Sequence, residues 1–325
     1  MKYFLSLSAL LFLFGCQKKN TTFTEISTHA DEKTAAVVEG KKLMETHCYL
    51  CHSPDAAENQ GRIAPPMVAI KAHYIDKKGY SKDEFIEKMT SFVQNPTKDK
   101  AILKGAVKKH GLMPKQDFPI GSVEKIAAYL YEYKIEEPQW FQSHWQSHGN
   151  QNWSQSGIVF TESSTAPNFA DIGLEYALET KKVLGKNLMT AIQQKGTIAA
   201  LDFCNVQAIP LTDSMSTHYN AVIKRVSDRN RNPNNKTNAE ELYYINHFKK
   251  LTANKEEIKP VALEKGSKIQ FYYPIETNSM CLQCHGTQIR PDVSKRILKL
   301  YPNDLAVDYN ENEVRGIWSI TFDKN

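Results

Sequence analysis

The chain has 325 residues, of which 41% are hydrophobic and 24% are charged, and its formal net charge is +5. This composition is ordinary for a globular protein of about two domains, and it excludes a fibrous or wholly disordered chain. The charge is too small to indicate a nucleic-acid partner, so none is predicted.

The N-terminus has the pattern of an export signal. Lys2 precedes an apolar run from Tyr3 to Phe14, which is shorter than the roughly 20 residues that a membrane helix needs. The run ends in Leu13-Phe14-Gly15-Cys16, which resembles a bacterial lipobox. We therefore predict a lipoprotein signal peptide at 1–15, lipidation of Cys16 and a polar tether over 16–36. The alternative is an ordinary secretory signal with an incidental cysteine.

A lipidated Cys16 would place the protein in the bacterial cell envelope, anchored to a membrane by lipid and facing the periplasm. Gln17 favours the outer membrane over the inner one. No other segment of the sequence is long and apolar enough to be a membrane helix.

Helical periodicity begins at Val37. It predicts an entry helix that runs into Cys48, a second helix over Lys82–Gln94, and a third over Val123–Tyr133 with Ser122 as its N-cap. The polar stretch 136–165 contains Pro138 and three tryptophans. We predict that it is a linker that packs on one of its neighbouring domains.

The C-terminal half mixes helical and strand patterns. A long helix is predicted from Asn168 to Gln194, stopped at Lys195-Gly196, and a shorter one to about Ala208 before Pro210. Two segments with strand character follow, at Ile269–Tyr273 and Val314–Phe322.

Two Cys-x-x-Cys-His motifs carry the strongest chemical signal. In this spacing two thiols can form thioethers with the vinyl groups of one haem, and the adjacent histidine becomes the proximal iron ligand. A zinc half-site or a redox dithiol is the alternative, but two motifs behind an export signal favour haem. We predict two covalent haem c groups, attached at Cys48, Cys51, Cys281 and Cys284 and ligated by His52 and His285.

The segment Gly111-Leu112-Met113-Pro114 follows the first motif. With it, residues 37–135 resemble a class I cytochrome c, which has an entry helix into the motif, a Met-Pro loop and a closing helix. The resemblance implies an all-α domain in which Met113 is the distal ligand, and such His/Met ligation raises the reduction potential. Met67 and His110 are competing ligands. Nearby lysines could steer an acidic redox partner; they are Lys104, Lys108, Lys109 and Lys115.

Residues 166–325 resemble a bacterial haem-c domain with a PAS-like, α+β fold that occurs in cytochromes and signalling sensors. Four blocks carry the resemblance: Ala199–Cys204, Arg229–Asn235 with Glu240, Met280–Gly286, and Tyr301–Asp304 with Arg315–Trp318. The segment Arg225-Val226-Ser227 departs from the family's usual Arg-Thr-Ser.

In that family the cysteine of the helical block can be the axial ligand opposite the motif histidine, which implies this role for Cys204. Leu201, Cys204 and Ala208 also share one helix face. A buried apolar cysteine is the alternative. Arg225, Arg229 and Arg231 fit the haem propionates; an external anion, or a turn without a ligand, is the alternative for this cluster.

These expectations combine into a dihaem c-type cytochrome lipoprotein that transfers electrons in the bacterial cell envelope, and an electron carrier is favoured over a catalyst. One alternative is a redox or diatomic-gas sensor that signals through a separate protein. A dihaem peroxidase-like enzyme is the less favoured alternative.

Overall fold

The computed structural model describes residues 39–55, 57–59, 62–116, 118–150, 153–160 and 168–324. The predicted signal peptide, Cys16 and the tether lie outside these residues. Within the described ranges, no helix has both the length and the apolar character needed to cross a membrane.

The N-terminal part is helical. Residues 39–47 form α1. The later helices are α2 (Met67–Lys71), which continues as a π-helix (Ala72–Lys77), α3 (Lys82–Gln94), α4 (Lys104–His110) and α5 (Ser122–Glu132). α3 has the predicted bounds, because Ser81 and Glu84 form a capping box at its start. Phe85 of α3 and Leu130 of α5 are fully buried in the shared core of this part.

The start of α5 differs from the prediction. The N-cap is Gly121 and not Ser122, which is buried as the first residue of the helix. Gly121 has a φ of 79°, a left-handed conformation that glycine adopts without steric cost. The predicted serine cap is therefore wrong, because the backbone at this entry needs a glycine.

The stretch predicted as a linker is largely folded. It contains α6 (Phe141–Ser147) and the strand β2 (Ile158–Val159), which pairs in parallel with β1 (Tyr133–Lys134). Trp145 and Trp153 are buried in the N-terminal core, and the Trp153 indole donates to Glu137 at 2.6 Å. Burial of these large aromatic side chains holds the stretch on the preceding helices.

One helix, α7 (Phe169–His218), begins the C-terminal part. Gly196, with a φ of 81°, interrupts it where a stop was predicted. The predicted end near Ala208 is wrong, since the helix continues through Pro210. A proline frees the carbonyl four residues before it, and Val206 lies on an exposed position where water can bond that carbonyl.

A four-stranded antiparallel sheet forms the centre of the C-terminal part, in the order β3-β6-β5-β4. Its strands are β3 (Val222–Val226), β4 (Val261–Lys265), β5 (Lys268–Glu276) and β6 (Val314–Asp323). α7 covers one face, where Leu174 packs with Phe271. α8 (Ala239–Asn254) covers the other, where Phe248 packs with Ile317.

Three short helices complete this part: a 3₁₀-helix (Pro233–Asn235), α9 (Leu282–His285) and α10 (Pro291–Leu300). α10 packs on α7 through Val293, Ile297 and Leu201. The combination of helices and an antiparallel sheet confirms the predicted mixture of α and β structure.

Candidate haem-attachment sites

The first Cys-x-x-Cys-His motif follows α1 directly and forms a tight turn. The amides of Cys51 and His52 both donate to the carbonyl of Cys48, at 3.1 and 2.8 Å. The Nδ1 atom of His52 lies 2.6 Å from the carbonyl oxygen of Pro65, and burial lowers the pKa of this imidazole. A neutral imidazole that donates through Nδ1 keeps the Nε2 lone pair available to iron.

The second motif repeats this arrangement. The amides of Cys284 and His285 donate to the carbonyl of Cys281 at 3.2 and 2.9 Å. The Nδ1 atom of His285 lies 2.7 Å from the carbonyl oxygen of Ala306, and burial sets the pKa of the ring well below its ordinary value. Both motifs therefore hold their histidine in the same tautomer and in the same local turn.

Arg231 joins the second motif to the loop that holds His285. Its guanidinium donates to both carboxylate oxygens of Asp304, at 3.1 and 2.9 Å. It also donates to the carbonyls of Cys284 and Ala306, at 2.6 and 3.2 Å. The Asp304 side chain is 2% exposed, so this is a buried and fully bonded ion pair. Arg231 therefore has partners in the protein already.

Arg229 is also engaged. It donates to the carbonyls of Leu305, at 3.1 Å, and Val307, and its guanidinium lies 4.5 Å from the centre of the Tyr309 ring. A propionate contact by Arg229 or Arg231 would come in addition to these bonds, and it stays a prediction.

A cavity beside His285 is lined by four arginines: Arg225, Arg229, Arg231 and Arg315. Among the described residues, no carboxylate lies within 4.0 Å of the Arg225 or Arg315 guanidinium, and the buried Nε of Arg315 has no hydrogen-bond partner. Burial and, to a smaller extent, the neighbouring Arg315 lower the pKa of Arg225 to about 10. An anion bound beside two such guanidinium groups would be stabilised by both of them.

A β-bulge positions Arg315. Gly316 pairs with Ile275 across the sheet and Val314 pairs with Glu276, so Arg315 is the extra residue of β6 at this register shift. A bulge re-aims its side chain relative to the regular alternation of the strand. Sequence analysis assigned no role to Arg315, because a bulge leaves no clear pattern in a single sequence.

Cys204 of α7 lies beside the second motif. Burial raises the pKa of its thiol, while the nearby Arg225, Arg315 and Arg231 lower it. Cys284 is in the same neighbourhood, since it packs on Leu201, one helical turn before Cys204. A buried thiol with three arginines near it, which oppose the effect of burial, fits the chemistry of an iron ligand. The ligation itself stays a prediction.

The three candidate distal ligands of the first motif differ in their burial and in the elements that carry them. Met113 lies in the loop between α4 and α5, and its half-buried side chain packs on the core that includes Cys48. Met67 is 2% exposed within α2. Burial lowers the pKa of His110, with smaller effects from Arg62, Lys109 and His52. His110 is thus near His52, and Met113 stays the predicted ligand on the basis of its loop.

The predicted basic surface is present on α4 and the loop after it. Four exposed lysines form it: Lys104, Lys108, Lys109 and Lys115. Leu112 and Ile120, which are 37% and 98% exposed, add apolar area to the same loop as Met113. Apolar side chains ringed by charge are typical of transient protein interfaces.

Comparison with known proteins places the chain in a family. Residues 135–322, more than half of the chain, match the Tll0287-like family. The chain belongs to the Tll0287-like family. One solved structure, the crystal structure of the cyanobacterial haem-protein Tll0287, is 18% identical and covers 49% of this chain and 98% of its own, with a TM-score of 0.37. No curated protein matches the chain.

Membership of the Tll0287-like family confirms that the C-terminal half is related to a haem-protein family, as the four sequence blocks predicted. The matched range begins at residue 135, so it includes the stretch that was predicted to be a linker. The class I cytochrome c resemblance and the lipid anchor stay predictions.

The described residues fit haem at both motifs. Each motif offers two thiols and a neutral histidine with a free Nε2, and the second motif also has two guanidinium groups without a carboxylate partner. Haem supplies an iron that lacks ligands and two propionates that carry negative charge, so the two chemistries are complementary.

Proposed function

We propose that the chain is a dihaem c-type cytochrome that transfers electrons in the bacterial cell envelope. The observation that carries the proposal is the shared geometry of the two motifs. His52 and His285 each have Nδ1 within 2.7 Å of a backbone carbonyl oxygen, the arrangement that fixes an iron-ligating imidazole. Bound haem would supply a reversible one-electron iron couple.

The residues around the two motifs would give the two sites different potentials. A thioether from Met113 favours ferrous iron, whereas a thiolate from Cys204 favours ferric iron. The arginines beside His285 oppose the second effect, because nearby cations stabilise the reduced site. We expect the first site to have the higher potential, so electrons would flow from the C-terminal site to the N-terminal one.

The lysine-rich surface beside Met113 supports the N-terminal site as the exit. An acidic redox partner would be attracted to it, and its exposed Leu112 and Ile120 could be covered in the transient complex. Lipid on Cys16 would hold the protein at a membrane facing the periplasm.

A redox titration of the full-length protein tests this function. We expect two separate one-electron waves, and Met113→Ala should lower the potential of the upper wave only and remove the thioether–iron charge-transfer band. Met67→Ala is the matched control. A single wave would contradict the proposal, and a band that is lost in Met67→Ala but kept in Met113→Ala would contradict the ligand assignment.

A sensor for a diatomic gas is the second candidate, and one observation favours it. Three arginines that line the cavity beside His285 also act on Cys204. If the Cys204 thiolate bound the iron, the bond would weaken on reduction, because ferrous iron compensates thiolate charge less well. Loss of that bond would open a coordination site. Binding of CO or NO to the reduced protein with a change in its hydrodynamic behaviour would support sensing, and peroxide turnover would support the peroxidase alternative.

A further inference from the structure

The two motifs face a common element, the N-terminal portion of α7. On one side, this helix contacts the region around the first motif: Asp171 pairs with Lys42, and Lys182 pairs with Asp55. Leu50, which lies between the two motif cysteines, sits against Gly185, where a Cβ would overlap the Leu50 side chain. The first motif is therefore docked on α7 through both charge and close packing.

The other side of the same helix segment packs on β5, the strand that leads to the second motif. Gly173 lies against the Phe271 ring, and Leu184 belongs to the same cluster as Tyr273 and Ile275. After β5, Asn278 accepts hydrogen bonds from the amide of Cys281 and caps the turn of the second motif. One helix thus contacts the supports of both motifs.

Lys181 lies in the segment of α7 that contacts both the region of the first motif and β5. Its Nζ donates to the carbonyl of Thr46 at 2.8 Å, two residues before Cys48. Burial lowers its pKa, and the acidic groups that oppose this shift are, in decreasing order, Cys281, Glu276, Cys51 and Cys48. Thiols of both motifs therefore act electrostatically on one ammonium group, which the hydrogen bond to Thr46 holds beside the first motif. Among the described residues no carboxylate lies within 4.0 Å of this ammonium.

The two motifs also affect each other directly. The pKa of the Cys51 thiol is raised to about 11 chiefly by burial; Lys181 opposes this shift and Cys281 adds to it. The attachment cysteines of the two motifs are thus within electrostatic reach of each other, although they are 230 positions apart in the sequence.

We propose that Lys181 is a positioning residue shared by the two haem sites, and that α7 holds these sites as one electrostatically coupled pair. The inference rests on the proposed function, since it requires a haem at each motif. Each electron that enters the pair makes one site more negative by one charge. A shared, poorly hydrated ammonium group would stabilise the reduced form of either site, because its positive charge attracts the added electron. The first electron would in turn lower the potential for adding the second.

Lys181→Met in the full-length protein with both haems tests the proposal. It keeps the side-chain length and removes the charge, so both midpoint potentials should shift downward. Lys186→Met is the matched control, because Lys186 is on the same helix but exposed, and it should leave both potentials unchanged. Lys181→Arg keeps the positive charge, so both of its potentials should lie closer to the wild-type values than those of Lys181→Met. A shift of one potential alone, or of neither, would overturn the role of Lys181.

A second measurement does not depend on how well a Lys181 variant folds. The EPR power saturation of the fully oxidised wild-type protein is compared with that of the variant that carries both Cys281→Ala and Cys284→Ala. Neighbouring ferric sites relax each other, so the signal of the first haem should saturate more readily in the variant. Identical saturation would overturn the coupled pair. If the wild-type protein carries two haems but saturates at the same power as the variant, this inference alone is refuted. If the wild-type protein carries fewer than two haems, the proposed function is refuted.

Discussion

Individual side chains set the charge around the second motif. Arg231 is neutralised by Asp304, whereas Arg225 and Arg315 have no such partner among the described residues. The cost of keeping two guanidinium groups together away from water is offset when an anion binds between them. The haem propionates are the anions that the second motif would bring to this place.

Arg315→Gln tests this assignment. Loss of one cation near the iron should lower the potential of the C-terminal haem. The free energy of its reduction should become less favourable by about 1–2 kcal/mol, which is the interaction of two charges roughly 10 Å apart at an effective dielectric constant of about 20. A redox titration measures the shift. Lys224→Gln is the control, since Lys224 is exposed on β3 next to Arg225. Equal shifts in the two variants would contradict a specific role for Arg315.

Cys204 is the second residue whose role depends on its neighbours. If its sulfur binds the iron held by His285, Cys204→Ser should change the low-spin EPR signal of the ferric protein and raise the potential of this haem, because a thiolate stabilises ferric iron. Asn205→Ser, at an exposed neighbouring position, should change neither. An unaltered signal in Cys204→Ser would leave this cysteine as a core residue.

At the residue level, the sequence indicates candidate attachment and iron-binding groups, which stay predictions, but not the residues that support them. Two cysteines and a histidine in a fixed local spacing are visible in any single sequence. The carbonyls of Pro65 and Ala306 are 13 and 21 residues from the histidines that they contact. Asp304 is 73 residues from Arg231, and Lys181 is 135 residues from Thr46. Only the tertiary fold brings them to the motifs.

At the scale of elements, α7 is the central support of the molecule. It packs on the sheet through one face and on the first motif through another. The absence of a side chain at Gly173 allows the helix to approach the Phe271 ring closely. The capping boxes at the starts of α3 and α8 follow local rules, whereas the continuation of α7 through Pro210 depends on exposure and packing.

Gly173→Ala should therefore destabilise the protein. An added Cβ would overlap the Phe271 ring, and forced overpacking of a core costs about 1–3 kcal/mol. Gly105→Ala is the matched control on α4, where a Cβ meets nothing within 4 Å, and it should stabilise by roughly 0.5–1 kcal/mol through helix propensity. Urea unfolding of both variants gives the two free energies. Stabilisation by Gly173→Ala would contradict the close packing of α7 on β5.

On the scale of the whole molecule, the two proposed haem sites and the predicted lipid anchor would make the protein an electron carrier held at a membrane surface. If Cys16 is lipidated, Cys16→Ala should move the protein from the membrane fraction to the soluble periplasmic fraction, or block its processing, because the lipid is the proposed anchor. Fractionation followed by haem staining measures this. A processed Cys16→Ala protein that stays with the membrane would contradict the anchor.

The broad plan of the molecule was predictable, since the two motifs, the helical N-terminal part and the mixed C-terminal part follow from local patterns. The placement of the stretch after Pro138 was not, because Trp145 and Trp153 can pack on either neighbour as far as sequence shows. The electrostatic influence of Cys281 on Cys51 was equally hidden, since it depends on how α7 docks on the first motif.

The number of covalent haems tests the central claim most directly. Mass spectrometry of the denatured full-length protein, matured in a host with complete cytochrome c machinery, should show two haem additions. Removing the cysteines of either motif, Cys48 and Cys51 or Cys281 and Cys284, should leave one. A wild-type protein that carries a single haem, or that loses haem on denaturation, would contradict the account.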